Sequence, residues 1–317
     1  MSDDLERAVQ AVVRDCLAVA EGEDVLVVCN LATQDLGERL RAEAADAGAD
    51  AVLAVIAERA SHAGEPPATV AAAMAAADVV MAPTVQSLSH TSARRAASSA
   101  GARIATLPGV TEEMLARVMS ADMEGLRRKG GAIAAILDAG SEAHITSALG
   151  TDLRLGIEGR EAIPDAGEIR EPGVFGNLPC GEGFIAPVEG TGEGTLVIDG
   201  SIAGIGRVGE PVTLTVEGGH LTAATGPEGE RLMELLTEHG PDGTNVAELG
   251  IGTNEKAELT WEILEDEKIL GTAHVAFGAS ASIGGTVQVP VHLDAVVLEP
   301  DVAVDGEPVV RAGELLV

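Results

Sequence analysis

The chain has 317 residues, of which 46% are hydrophobic, and this excludes an intrinsically disordered chain. Its length allows one large domain or two smaller ones. The formal net charge is −31, with 51 acidic residues against 20 basic ones. Binding to nucleic acid needs basic patches, so the charge argues against a nucleic-acid partner.

The acidic residues are spread along the whole chain, whereas only three residues are lysines. A surface rich in carboxylates stays hydrated where salt screens charge, so we expect a cytoplasmic protein of a salt-loving organism. A local cation-binding surface would instead concentrate the acids. The amino terminus does not resemble a signal or transit peptide, and no apolar run is long enough to span a membrane. No membrane partner is therefore expected. Three widely spaced cysteines predict neither a disulfide framework nor a CxxC zinc site.

The first 106 residues alternate between helix and strand. Predicted strands cover 25–29, 51–56, 79–81 and 102–106, and predicted helices cover 4–20, 33–47, 66–77 and 90–100. This alternation is typical of an α/β fold with a parallel, doubly wound sheet.

The remainder of the chain changes character after a helical stretch over 111–137. Beyond about residue 140, Gly and Pro become frequent, and hairpins are predicted to turn at Gly218-Gly219 and Asp305-Gly306. A short helix is predicted over 258–264. We therefore expect an α/β domain over 1–140 and a β-rich, metal-binding domain over 141–317.

One candidate binding segment, 84–95, follows the third predicted strand. Ligands of parallel sheets bind beyond the carboxyl ends of the strands, so His90, Thr91 and Arg94 are candidate substrate contacts. The helix that begins here could hold a carboxylate at its N-terminus. The alternative is an ordinary Ser/Thr helix cap. No GxGxxG follows the first strand and no P-loop motif occurs, which argues against a nucleotide site.

The strongest chemical signal is His292-Leu293-Asp294, within a predicted strand. Side chains at i and i+2 of a strand share a face, so the imidazole and the carboxylate can converge on one ion. His274, from a neighbouring predicted strand, would complete a triad of two His and one carboxylate. The alternative is a His-Asp pair that only satisfies itself.

Further acidic residues lie in separate segments of the same half: Glu182, Glu248 and Glu267. Added carboxylates would convert a single site into a two-metal site, in which bound water becomes acidic enough to yield hydroxide near neutral pH. A carboxylate beside it could then act as general base. Most of the acidic run 262–267 is expected to be solvated, with Glu267 as the exception.

Four blocks of the sequence, in this order, resemble the thermophilic-type metallo-aminopeptidases, the aminopeptidase T and aminopeptidase S family. The matching residues are Asn177, Pro179, Glu182, Phe184 and Pro187, then Glu248, then Glu267, His274, Ala276 and Gly278, and finally His292 and Asp294. The resemblance covers most of the β-rich half and, more loosely, the α/β half.

This resemblance implies a homodimeric hydrolase that acts on peptides or small amides with one or two ions of Zn, Co or Mn. It implies metal ligands at Glu182, Glu267, His274, His292 and Asp294, and Glu248 as general base or ligand. Two positions depart from the family pattern. Pro290 replaces a second His, and Ala281 replaces a Tyr.

A related branch is similar in sequence, the 2,5-dihydroxypyridine 5,6-dioxygenases. That resemblance implies one Fe(II) ion on His274, His292 and Asp294, with His90 and Thr91 acting on the substrate. A third alternative is a non-catalytic, metal-binding relative.

Overall fold

The computed structural model describes residues 2–317. Its helices, α1 to α8 in chain order, are Ser2–Gln10, Gln34–Asp46, Ala68–Ala76, Ser92–Ser99, Glu112–Val118, Met123–Ala139, Gly226–Thr237 and Ile263–Asp266. Its first ten strands, β1 to β10, are Asp24–Cys29, Asp50–Val55, Val79–Ala82, Arg103–Thr106, Glu142–Ser147, Asp152–Gly156, Ile163–Asp165, Phe175–Asn177, Glu182–Ile185 and Glu193–Ile198. The other ten, β11 to β20, are Ser201–Ile202, Gly206–Arg207, Val212–Glu217, His220–Ala224, Val246–Gly252, Ala273–Gly278, His292–Val297, Pro300–Val304, Glu307–Arg311 and Glu314–Leu315.

The chain divides into two compact units. The first contains Met1–Met123 and Gly167–Cys180, and the second contains Glu124–Ala166 and Gly181–Val317. The sequence predicts a change from helix to β-structure near residue 140, which is the end of α6. Almost all of that helix belongs to the second unit. Within 2–317, none of the helices combines the length and apolar character that a bilayer crossing needs.

The first unit is built on a parallel sheet of five strands, in the order β2-β1-β3-β4-β8. Four of these strands are the short apolar runs predicted from the sequence, and the α/β fold class is confirmed. The fifth, β8, pairs in parallel with β4 through Phe175–Asn177, where no strand was predicted. Three residues are too few to show a hydrophobic period.

The second unit contains two antiparallel sheets, one of eight strands and one of seven. Both predicted hairpins form, with β13 and β14 joined at Gly218-Gly219 and β18 and β19 joined at Asp305-Gly306. All four turn residues have positive φ, as two-residue hairpin turns of this kind require. One apolar core receives side chains from both sheets.

The segment 258–268 differs from its prediction. Only Ile263–Asp266 is helical, because the carboxylate of Asp266 accepts hydrogen bonds from the backbone N–H groups of Thr260 and Trp261 and holds them outside a helix. Three of the acids expected to face solvent or the site are buried: Glu265 and Asp266 are fully inaccessible and Glu267 is 6% exposed. The prediction of a mostly solvated acidic run is therefore wrong for Glu265 and Asp266.

Candidate metal centre

Five of the six candidate ligands lie on four adjacent strands of the seven-stranded sheet, in the order β17-β16-β15-β9, and the sixth, Glu267, directly follows α8. The register places Glu182 opposite Gly252, and Gly250 opposite His274. It also places Asp294 opposite Ala276. Directly opposed residues point to the same face of a sheet, so segments far apart in sequence contribute to one cluster.

The two faces of these strands are chemically different because side chains alternate along a strand. The face opposite the cluster is apolar and buried in the core; its residues include Ile185, Leu249, Ile251, Val275, Phe277, Leu293 and Val297. The ligand face carries small residues between the ligands. At Gly250, an added Cβ would lie 2.1 Å from Nε2 of His274, so glycine leaves the space that this imidazole fills.

The two imidazoles each lie between two carboxylates. Nε2 of His274 is 3.0 Å from Oε2 of Glu182 and 3.3 Å from Oε1 of Glu248. Nε2 of His292 is 3.4 Å from Oε2 of Glu248 and 3.6 Å from Oδ1 of Asp294. Glu248 thus faces one imidazole with each of its oxygens.

The orientation of His292 is set by the backbone. Its Nδ1 is 2.7 Å from the carbonyl oxygen of Ala279, an acceptor that requires Nδ1 to carry the hydrogen. In the neutral imidazole the lone pair is then on Nε2, which faces the carboxylates, and this is how a backbone carbonyl orients a metal-ligating histidine.

Three sets of residues bring their ligand atoms within 4.8 Å of one another: Glu182, Glu248 and His274; Glu248, His292 and Asp294; and Glu267, His274 and Asp294. Each set has one nitrogen and two oxygen donors, a combination that suits borderline and hard divalent cations. Oε2 of Glu182 is buried and makes no hydrogen bond, although it lies close to His274. The donor set of four carboxylates and two imidazoles is of the kind that binds divalent cations, so the residues present fit a metal ion.

Two members of the cluster were missed by the sequence analysis. Lys268 is fully buried, and its Nζ donates to Glu182 and, at 2.7 Å, to Oε1 of Glu267. Asp165 lies 3.8 Å from the same Nζ. The adjacency of Lys268 to Glu267, in a chain with three lysines, was the one available signal. Nothing in the sequence indicated Asp165, because only strand pairing brings β7 to β9.

Burial and mutual contact shift the protonation of the cluster. Burial opposes the charged form of both imidazoles, but the carboxylates beside them outweigh it and raise the pKa of His274 and His292 well above the usual value. Burial also opposes ionisation of Glu248, yet hydrogen bonds from both imidazoles lower its pKa to about 2. Burial raises the pKa of Glu267 to about 8 despite Lys268. Protons therefore neutralise part of this cluster, and a bound cation would have to displace them.

The other sequence candidates lie in the first unit, where each has internal contacts. Thr91 caps α4 by accepting a hydrogen bond from the N–H of Arg94. Arg94 is 6% exposed, donates from Nε to the carbonyl of Ser89 and lies over the ring of Phe175. His90 is half-buried, and its carbonyl accepts from Arg95.

The N-terminus of α4, predicted as a carboxylate site, binds a carboxylate of the chain itself. The side chain of Glu65 accepts from the N–H groups of Ser92 at 2.5 Å and Ala93 at 3.1 Å. The carboxylate expected at this helix N-terminus is thus supplied by Glu65 of the same unit.

Comparison with solved structures defines the class of fold. AmpT from Thermus thermophilus matches with a TM-score of 0.75 over 100% of both chains at 20% identity. A 2,5-dihydroxypyridine dioxygenase from Pseudomonas putida KT2440 matches with a TM-score of 0.85, covering 98% of this chain and 96% of that one at 23% identity. The fold is that of aminopeptidase T, and in this chain it carries the cluster of candidate metal ligands described above.

The sequence comparisons then give the family. The model of the NicX family, described as 2,5-dihydroxypyridine 5,6-dioxygenase, matches residues 4–317, and the chain belongs to this family. A curated 2,5-dihydroxypyridine 5,6-dioxygenase from Pseudomonas putida is 27% identical over 263 residues, which is 77% of this chain and 72% of that protein. The sequence resemblance had placed the aminopeptidases first and this branch second. The family match reverses that order.

Proposed function

We propose, from the arrangement of the carboxylates in the centre and not from the family match, that the chain is a metal-dependent hydrolase whose centre takes two divalent cations and acts on amide bonds of peptides or small amides. The observation that carries this proposal is the sharing of Glu248 between two ligand sets, one with Glu182 and His274 and one with His292 and Asp294. A carboxylate that faces two sets with its two oxygens has the arrangement of a bridging ligand between paired ions.

The proposed ligands divide into carboxylates and imidazoles. Glu182, Glu248, Glu267 and Asp294 would supply oxygens, and His274 and His292 would supply their Nε2 atoms. When bound, a pair of divalent cations would lower the pKa of a water molecule and polarise the substrate carbonyl group that this water attacks. Of the two roles that the sequence left open for Glu248, its contacts with both imidazoles favour ligand over general base.

The test is the metal content of the protein, followed by an activity panel. The chain would be purified without a metal-affinity tag, in high salt and under exclusion of air, and its metals counted by elemental analysis. Two equivalents of Zn, Co or Mn, with cleavage of aminoacyl amides that stops on chelation and returns with metal, are expected. One equivalent of metal, or two without any amide cleavage, would contradict the hydrolase.

A second candidate is a mononuclear Fe(II) dioxygenase that opens a dihydroxylated ring, and the family match over residues 4–317 favours it. Ferrous dioxygenases commonly hold iron on two His and one carboxylate. Within 2–317, Asp294 falls in one ligand set with His274 and in another with His292, so these three residues also have the composition of such a triad. One equivalent of iron with oxygen uptake on 2,5-dihydroxypyridine would establish the second candidate instead. A protein that takes up no metal even from excess would leave the non-catalytic alternative.

A further inference from the structure

Lys268 is a fully buried lysine inside a cluster of carboxylates. Its ammonium contacts Glu182, Glu267 and Asp165, at distances of 2.7 Å to Glu267 and 3.8 Å to Asp165. A buried lysine is costly unless it is paired, so its place here needs a reason.

The pairing of β7 with β9 supplies part of that reason. Asp165 lies directly opposite Glu182 in the antiparallel ladder, and two carboxylates in that position repel each other. Asp165 belongs to none of the three ligand sets found within 2–317. The Lys268 ammonium thus lies between two proposed ligands, Glu182 and Glu267, to which it donates, and one further carboxylate, Asp165, at 3.8 Å.

The backbone holds the lysine in place. The N–H of Lys268 donates to the carbonyl of Glu265 at 2.9 Å, and its carbonyl accepts from the N–H of Asn254 at 2.9 Å. The preceding helical turn is anchored by Asp266, which accepts from Ser201 and from two backbone N–H groups. The ammonium is thus fixed at one end of the cluster and has no access to solvent.

We propose that Lys268 is a fixed internal counter-ion that sets the charge which the centre presents to its metals. Metal binding displaces the protons of its ligands, and the five carboxylates Asp165, Glu182, Glu248, Glu267 and Asp294, less one ammonium, then leave a charge of about minus four, which two divalent cations neutralise. The inference rests on the proposed two-cation centre. It adds that the affinity for the more weakly bound cation depends on the charges of Asp165 and Lys268, neither of which is a ligand.

A ladder of charge variants tests this. Lys268→Met makes the cluster more negative, Asp165→Asn makes it less negative, and the double variant restores the starting charge. Lys129→Met is the matched control, because Lys129 pairs with Glu255 of the same unit and contacts none of the ligands. The probe is Mn²⁺, with bound ions counted by equilibrium dialysis and elemental analysis at one fixed salt concentration.

We expect Lys268→Met to bind the weaker Mn²⁺ at least about tenfold more tightly than the unmodified chain, and Asp165→Asn at least about tenfold more weakly. The double variant and Lys129→Met should stay within about threefold of the unmodified chain. Equal affinities across the ladder, or a reversed order, would overturn the role of Lys268. If Lys268→Met does not fold, Asp165→Asn decides alone, since it is isosteric, and an unchanged affinity there overturns the proposal.

The same experiment separates this inference from the proposed function. An unmodified chain that binds a single Mn²⁺ contradicts the two-cation centre, while the order of affinities for that single ion still tests Lys268. If two ions bind but all the variants have the same affinity, the proposed role of Lys268 is contradicted and the two-cation centre is not.

Discussion

The candidate metal centre of the second unit and the start of α4 in the first unit are the two places where the sequence predicts functional residues. At α4, the chain supplies partners of opposite character: Thr91 caps the helix, Glu65 binds its N–H groups, and Arg94 is held by a carbonyl and a ring. The metal cluster instead gathers like charges around two imidazoles and leaves a buried carboxylate oxygen without a hydrogen bond. An excess of one charge, rather than polarity itself, is what distinguishes a candidate site from a helix cap.

The largest effect that would sharpen this contrast is expected from Glu248→Ala. It removes the carboxylate that belongs to two ligand sets and faces one imidazole with each oxygen, so both cations should lose a ligand and metal content should fall below one equivalent. Activity on the best amide substrate should fall at least about 10²-fold, because changes behind metal ligands alone cost 10–100-fold. Elemental analysis and initial rates measure the two effects. Retention of two equivalents would show that Glu248 is not shared.

Gly250→Ala tests whether the space beside His274 is needed. The new methyl group would lie 2.1 Å from Nε2 of His274, so the imidazole must move and metal affinity should fall about 10–100-fold. Gly131→Ala in α6 is the control, because beyond the neighbouring backbone of its own helix no atom lies within 4 Å of its added Cβ. That control should keep its metals and gain roughly 0.5–1 kcal/mol in stability, as alanine is favoured over glycine in helices. A Gly250→Ala chain with unchanged affinity would mean that His274 is not held against the sheet.

The pH dependence of the metal-free protein gives a third test. The folded pKa values of His274 and His292 are raised, so their stabilising contribution is complete below the unfolded value near 6.5 and is lost as the pH rises through the folded values. The pKa of Glu267 is raised from 4.5 to about 8, so its contribution to stability also falls as the pH rises from about 4.5 through about 8. The chelated protein should therefore lose thermal stability between pH 6 and 9. The metal-loaded protein should not, because metal binding strengthens as its ligands lose protons. Parallel melting curves with and without chelator would refute this.

The smallest effect is expected from Thr91→Ala at the other region. Loss of the cap should cost about 1 kcal/mol of unfolding free energy, with metal content unchanged. Thr91→Ser keeps the hydroxyl and serves as the control. Denaturant unfolding measures the cost. A fall in activity with unchanged stability would instead restore Thr91 as a substrate contact.

Much of the fold was predictable because it depends on local pattern. The short apolar runs that became β1 to β4, and the Gly-Gly and Asp-Gly turns, lie within windows that periodicity and turn chemistry cover. The absence of the helix predicted over 258–264 could not be foreseen in the same way. There the Asp266 carboxylate accepts hydrogen bonds from backbone N–H groups that the helix would have used.

For the candidate site, the sequence by itself determined which residue types were available and that His292 and Asp294 would share a face, since i and i+2 of a strand always do. The family blocks added Glu182, Glu248, Glu267 and His274. Only the tertiary structure decided the register that sets Asp165 opposite Glu182 and Gly250 opposite His274. A shift of one residue between strands would turn every side chain to the other face, and that choice depends on the packing of the whole sheet. The environment of the buried Lys268 ammonium follows from the same register, because two of its three carboxylate partners, Asp165 and Glu182, come from strands distant in sequence.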